Sequence, residues 1–381
     1  MKPADDPTGL NCVAVFHALC KLNLTFLEGA RSLVCVQLRP APAVATIVPI
    51  PQTMCQSVRR WQSSPKLNLK RRAETMRRFI QVAAASINAT GVLLVETHDI
   101  PTLHPAAVEH VGRLGVPVVA TSALPGTFER IDHSISRWTS RGQLASKARA
   151  LHVLLPDFFF LKTLGHHKLR HTLANLDRPW STKARRVVFR GQCSGNQDCA
   201  NISLNARFNL SLHASRVCPP AHCTTWDVGV TCSFRDRCLT PAGARLVVNR
   251  SITKPYLNRS NALANRGLFD VDGNANAWEG FFWKLLSQSV VLKVEGFEQW
   301  FYDEIQPWSH YVPVRKDLVD VDAAVSYVLD PAHDDELQRI AKRANDYMRA
   351  SNSSVCYKVM VARIRAWLTA MVAAQSHLIG R

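Results

Sequence analysis

Short apolar runs of strand length recur along this chain, most of them closed by a turn signal, with longer stretches of helical period between them. The runs are ATIVPI (45–50), GVLLVETH (91–98), PVVAT (117–121), LHVLL (151–155), RRVVFR (185–190), RLVV (245–248) and SVVLKV (289–294). Continuous apolar strands alternating with helices are the pattern of parallel sheets covered on both faces, so the expected fold class is α/β. Helices are expected over 69–85, over 334–349 after Pro331, and over about 355–375. A polar segment near 175–185, NLDRPWSTKARR, separates two strand-bearing halves. In such sheets ligands sit beyond the carboxyl ends of strands, which makes the residues just after each run the ones to inspect.

The run GLFDVDGN, from Gly267, reads as another short strand ending in Gly273-Asn274. Trp278, Phe281, Phe282, Leu285 and Leu286 then follow at the spacing of one apolar helix face, with Asn274 or Asn276 available as a cap. A strand, a glycine turn and a helix start present backbone N–H groups to a phosphate; an ordinary βα turn is the alternative. Asp270 and Asp272 share a face of an extended segment and could ligate a metal together, but the same spacing recurs at Asp320 and Asp322, so it is weakly selective here.

Three other stretches are candidates. VVFRGQCSGN ends a strand in Arg190-Gly191 and continues through Gln192, Ser194, Gly195 and Asn196; Arg190 could fork onto a diphosphate or make a surface salt bridge. GVLLVETHDIP delivers His98 and Asp99 to a loop closed by Pro101, where Asp99 could act as a general base or merely shape a turn. FEQWFYDEIQPWSHYVPV gathers Trp300, Phe301, Tyr302, Trp308 and Tyr311, a set suited to stacking on sugars or bases or to a core.

The 11 cysteines bear on compartment, because Cys193, Cys199, Cys218, Cys223, Cys232 and Cys238 crowd one Gly- and Asn-containing segment, as in a disulfide-stapled excursion. Their irregular gaps fit zinc less well. Asn-X-Ser/Thr sequons stand at Asn23, Asn88, Asn201, Asn209, Asn249, Asn258 and Asn352, against roughly two or three expected by chance. Both features point to the secretory pathway, although residues 1–6 do not read as a signal peptide and no apolar window offers a membrane anchor. A formal net charge of +18 attracts anions. Nucleic acid is one such anion, suggested also by the basic run KLNLKRRAETMRR, but crowded cysteines and sequons argue against it.

LLPDFFFL (154–161), RPWSTKARRVVFRGQCSGN, WDVGVT (226–231), DVDGNANAWEGFFWKLLSQSVVLKV and EQWFYDEIQPWSHYVPVRKDLVDV, in that order, resemble the motifs of glycosyltransferase family 90. That family comprises protein O-glucosyltransferases, capsule-associated xylosyltransferases and lipopolysaccharide-modifying relatives; the pattern here is nearest the last. The resemblance runs from about residue 90 to 350. It implies a GT-B fold, two Rossmann-like domains facing across a cleft: an acceptor-side domain over 1–180, a nucleotide-sugar domain over 181–352 with a Cys-rich insertion at 193–238, and a C-terminal helix over 353–381 returning to the first domain. It implies inverting transfer of glucose or xylose from a UDP-sugar to a hydroxyl of a protein or glycan, in the endoplasmic reticulum or Golgi lumen or outside the cell, with no metal cofactor and no nucleic acid. Carried over by motif, Asp99 matches the catalytic base, and Arg190 and Arg207 match arginines that bind the diphosphate. Gly191, Gln192, Ser194, Asp272, Gly273, Asn274 and Trp278 fall in the implied nucleotide cradle. One departure stands out: the helix start Ala277–Phe281 lacks the arginine that protein O-glucosyltransferases carry there. Lys284 and Lys293 are the candidates to supply its charge; the alternative is a catalytically weak or inactive member that binds glycans.

Overall fold

The computed structural model describes residues 12, 14–15, 33–39, 44–48, 67–85, 87, 90–97, 105–129, 152–192, 194, 205–219, 223–231, 252–276 and 279–379. The expected strand 245–248, His98, Asp99, Cys193, Gly195, Asn196, Cys199, Cys232, Cys238, Trp278 and the sequons at Asn23, Asn88, Asn201 and Asn249 lie outside these residues. Contacts divide the chain into two compact units: Met1–Leu164 with Glu298–Trp300 and Tyr357–Arg381, and Gly165–Phe297 with Phe301–Cys356. Both are α/β.

The first unit holds a six-stranded mixed sheet in the order β2-β1-β3-β4-β6-β5, from β1 (Leu33–Arg39), β2 (Val44–Val48), β3 (Gly91–Glu96), β4 (Val118–Ala120), β5 (Phe128–Glu129) and β6 (His152–Leu154). β1 runs antiparallel to both β2 and β3, whereas β3, β4, β6 and β5 are parallel. Every residue of β3 is buried, as its unbroken apolar sequence requires of a central parallel strand. Two helices follow in this unit, α1 (Leu67–Ala84) and α2 (Pro105–Arg113), then the short α3 (Phe158–Lys162), capped by Asp157 Oδ1 accepting from the N–H groups of Phe159 and Phe160.

The second unit is built on a five-stranded, wholly parallel sheet in the order β8-β7-β9-β10-β11, from β7 (Ala184–Gly191), β8 (Trp226–Val230), β9 (Asn265–Asp270), β10 (Val290–Val294) and β11 (Val312–Val314). Its helices are α4 (His167–Leu176), α5 (Ala206–Val217), α6 (Arg259–Leu263), α7 (Gly280–Leu285), α8 (Val321–Leu329) and α9 (Asp334–Arg349). Helix α9 shows why the pattern was readable: Leu337, Ile340, Ala341, Ala344 and Met348 make one buried stripe, three acids open its first turn and Arg349 closes its last. Because β8 lies on one side of β7 and β9 on the other, the strand order reverses between β7 and β9. In parallel α/β sheets such a reversal is where a crevice forms at the carboxyl ends of the strands.

The chain ends in α10 (Tyr357–Ile379), which belongs to the first unit. Gln375 completes its docking: its amide accepts from the Val92 N–H and donates to the Val92 and Gly115 carbonyls, each at 2.8 Å, so a buried side chain pairs with β3 as a neighbouring strand would. Disulfides join Cys12 to Cys35 and Cys218 to Cys223; the latter ties the end of α5 to the approach to β8. Cys356 is a free thiol.

Candidate functional site

The crevice between β7 and β9 is organised by Arg207. Asn205 caps α5, its side chain accepting from the N–H groups of Arg207 and Phe208, and this sets Arg207 in the first turn of the helix. The Arg207 side chain is buried, yet its guanidinium is well satisfied: Nε donates to the Val271 and Asp272 carbonyls at 3.2 and 3.1 Å, Nη1 to the Gln192 carbonyl at 3.0 Å and Ser194 Oγ at 2.8 Å. One residue therefore fastens the loop after β7 to the loop after β9. Gly273 lies flat on this guanidinium: a Cβ there would stand 2.7 Å from Ser194 Oγ and 2.8 Å from Arg207 Nη2. Gly191 is equally tight, with a Cβ falling 2.7 Å from the Phe189 ring and 3.3 Å from Arg207 Cδ. A side chain at either position would push Phe189, Ser194 or the Arg207 guanidinium out of place.

Beneath Arg207 lies a buried charge cluster. Asp270 ends β9 with no exposure and pairs with Lys284 of α7 at 2.6 Å and Lys293 of β10 at 2.9 Å. Asp272 pairs with Lys293 at 2.5 Å and accepts the Phe297 N–H at 2.6 Å. Burial alone would raise the Asp270 carboxyl, but the two lysines outweigh it and hold the group well below the usual carboxylate range. Burial, with the Asp270 charge behind it, pushes Asp272 up despite Lys293. Burial depresses Arg207 and Lys284, while the two aspartates overcome burial to raise Lys293. Partial burial and the two acids push Tyr302 far above its ordinary value; Asn276 donates to its hydroxyl. Three cations thus stand against two carboxylates. The Asp-X-Asp pair does share a face, but Lys293 occupies the bridging position between the carboxylates, and a cluster in cation surplus is the wrong charge for a divalent metal. Among the described residues no group of three or more His, Cys, Asp or Glu side chains is placed to hold one.

Arg190 points elsewhere. Nε donates to the Pro255 carbonyl, Nη1 to the Phe189 and Asp227 carbonyls, and Nη2 to Asp227 Oδ1 at 2.7 Å; its side chain is 10% exposed. Lys254 joins the same carboxylate at 2.8 Å. Lys284 and Lys293, the lysines proposed to replace the missing helix-start arginine, are both committed to aspartates. A guanidinium reaches the start of α7 from another segment instead: Arg259 pairs with Glu279, the residue preceding the helix, and lies 5.8 Å over the Trp283 ring. Helix α7 begins only at Gly280, and neither Asn274 nor Asn276 caps it; its apolar face, Phe281, Phe282, Leu285 and Leu286, is buried as expected. Of the aromatic cluster, Trp300 and Phe301 are buried, Tyr302 is partly buried, and Trp308 is half exposed. Asp227 and Arg259 escaped sequence reading because their partners are distant in the chain. Lys293 gave a signal, being a lone cation in the apolar run VVLKV, which demands a buried counter-ion.

Parallel α/β sheets place their ligands at the topological switch point, and here that point carries the buried charged cluster. The sequence profile of glycosyl transferase family 90 matches residues 146–362, more than half of the chain, and the chain belongs to that family. It is 35% identical over 92 residues to protein O-glucosyltransferase 2 of Danio rerio, covering 23% of this chain and 18% of that protein. It is 37% identical over 82 residues to protein O-glucosyltransferase 1 of Rattus norvegicus, covering 21% and 20%. A longer match, 28% identical over 179 residues, is to uncharacterized protein 035R of Invertebrate iridescent virus 3, covering 45% of this chain and 15% of that one. These matches span a fifth or less of the relatives' own length.

Proposed function

We propose that this chain is an inverting, UDP-sugar-dependent glycosyltransferase of GT-B arrangement that moves glucose or xylose to an acceptor hydroxyl on a protein or glycan. The observation that carries this reading is the buried surplus of positive charge at the β7/β9 switch point. A diphosphate would neutralise it, and Arg207, already desolvated and held by four hydrogen bonds, loses no side-chain freedom on binding one. Gln192, Ser194, Asp272, Gly273, Asn274 and Trp278 make the cradle, and the cluster's own cations do the work a metal would otherwise supply. Arg190 and Gly191 serve the cradle by fixing the strand end, Arg190 through Asp227. Asp99, three residues beyond β3, is the base. Its carboxylate takes the acceptor proton as the acceptor oxygen bonds to the anomeric carbon, and the bond from that carbon to the diphosphate breaks on the opposite face, releasing UDP. Disulfides and sequons support a secretory or extracellular setting for this activity; among the described residues no helix is long and apolar enough to cross a membrane.

The test is UDP release from a panel of UDP-sugars, with and without manganese, on protein from a secretory host. Turnover of one donor, indifferent to manganese, is expected. Asp99→Asn should abolish transfer with UDP binding retained, and Arg207→Ala should weaken UDP binding about ten- to a hundredfold. Full activity in Asp99→Asn would sink the base assignment. Because the helix start carries no arginine of its own, a second reading is a member that binds UDP and glycan without turnover; UDP binding with every donor intact would favour it.

A further inference from the structure

We propose that Asn258 carries an N-linked glycan whose first N-acetylhexosamine stacks on the ring of Tyr256; the inference rests on the secretory location proposed above. The described sequons differ in what their asparagines can offer. Asn209 sits half-buried in the first turn of α5, and the hydroxyl of its sequon, Ser211 Oγ, is buried and donates to the Arg207 carbonyl at 2.8 Å. A glycan there would have to leave the fold through the helix that holds Arg207. Asn258 is exposed at the start of α6 and extended, with φ −69° and ψ 163°. Its Oδ1 is engaged as the helix cap, accepting the Asn261 N–H at 2.8 Å, which orients the amide. Nδ2, the atom that is glycosylated, has no partner among the described residues.

Tyr256 supplies the second observation. It is 80% exposed, the most exposed large hydrophobic side chain among the described residues, and no ring packs on it there. Residues 254–258 form neither helix, turn nor bend, and in extended chain residues two apart project to the same side. Tyr256 and Asn258 are both exposed, on either side of the less exposed Leu257, the alternation of an extended segment. A sugar on Nδ2 would lay its apolar C–H face on an aromatic surface that is otherwise in water, as aromatic rings do with pyranoses and other apolar edges. In the modification the Asn258 amide nitrogen bonds to the anomeric carbon of an oligosaccharide carried on a lipid diphosphate. The carbon–oxygen bond to the diphosphate breaks, the lipid diphosphate leaves, and the amide proton passes to the host transferase's base.

The experiment is expression of the full chain in a secretory host, peptide-N-glycosidase release in ¹⁸O-water, and peptide mass spectrometry of each sequon. The expected result is heavy-oxygen deamidation at Asn258 and none at Asn209. Ser260→Ala removes the sequon while keeping the capping asparagine, and should lose one glycan's mass. Tyr256→Ala should lower the thermal midpoint of the glycosylated protein and leave that of Ser260→Ala unchanged, which isolates the stacking contact by a double-mutant cycle. A bare Asn258 with other sequons occupied overturns the proposal and leaves the secretory reading standing. A protein with every sequon bare overturns both, and equal effects of Tyr256→Ala in both backgrounds overturn the stacking.

Discussion

The carboxyl ends of the two sheets treat buried charge in opposite ways. In the second unit, three cations crowd two carboxylates around β7, β9 and β10. In the first, Glu96, the last residue of β3, stands 2.8 Å from His152 Nε2 of β6, with 1% and 7% of their side chains exposed, while nearby Arg72 donates to the Thr97 carbonyl and the buried Asp157 caps α3. A matched pair is complete in itself, whereas a surplus in a low-dielectric interior is stabilised only by an anion from outside. Under the proposed function, this difference is the reason to put the charged donor in the second unit and a neutral acceptor hydroxyl in the first.

The sharpest way to break this contrast is to remove the acid on which the second cluster depends. Asp270→Ala leaves Lys284 buried without its aspartate and Lys293 with only Asp272, and should cost about 3–5 kcal/mol in urea unfolding. A loss below that of Glu96→Gln would show that the cluster is not the dominant electrostatic element. Next in size is a pH effect. His166 opens α4 in the left-handed region with φ 57°, and burial, aided by Arg170 and Arg259, lowers its pKa to about 4. The unfolded chain binds a proton there below about 6.5 while the folded chain does not, so stability is full above that pH and falls as pH drops toward 4, by up to about 3 kcal/mol. His166→Asn, which tolerates the backbone, should flatten this window in urea unfolding curves taken from pH 7 to 4.5.

Much of the architecture was legible because burial writes itself into period. The runs at 91–98, 185–190 and 289–294 became β3, β7 and β10, and the helix over 334–349 falls on α9. The strands that escaped carry a breaker or a mixed pattern: β8 (WDVGV) has a glycine, β11 (VPV) a proline, and β1 (LVCVQLR) mixes apolar with polar and charged residues. At the site, Gly191, Gln192, Ser194, Arg207, Asp272 and Gly273 are brought together by geometry that spacing alone could only suggest. What sequence could not give was pairing across the fold. Arg190 was open to a diphosphate or a salt bridge by sequence, and its partner is Asp227, 37 residues on. Lys284 and Lys293 looked available and are not.

The smallest effects discriminate best, because they predict opposite behaviour in the two units. Asp272→Asn preserves the side chain's shape and its acceptor for the Phe297 N–H, yet deletes one of the two acids opposing three cations. If the surplus is what draws a diphosphate, UDP should bind about three- to tenfold more tightly to this variant at low salt, with the gain shrinking as ionic strength rises. Stability should fall at the same time, since Lys293 keeps only Asp270. Glu96→Gln, the matching change in the first unit, removes the carboxylate charge opposite His152 while keeping the side chain's shape, and should cost about 1 kcal/mol of stability while leaving UDP affinity unchanged. Isothermal titration with UDP at two salt concentrations checks both. Tighter binding by both variants would mean that net charge of the whole chain, at +18, governs affinity; no change in either would mean that the buried cluster is sealed from the ligand.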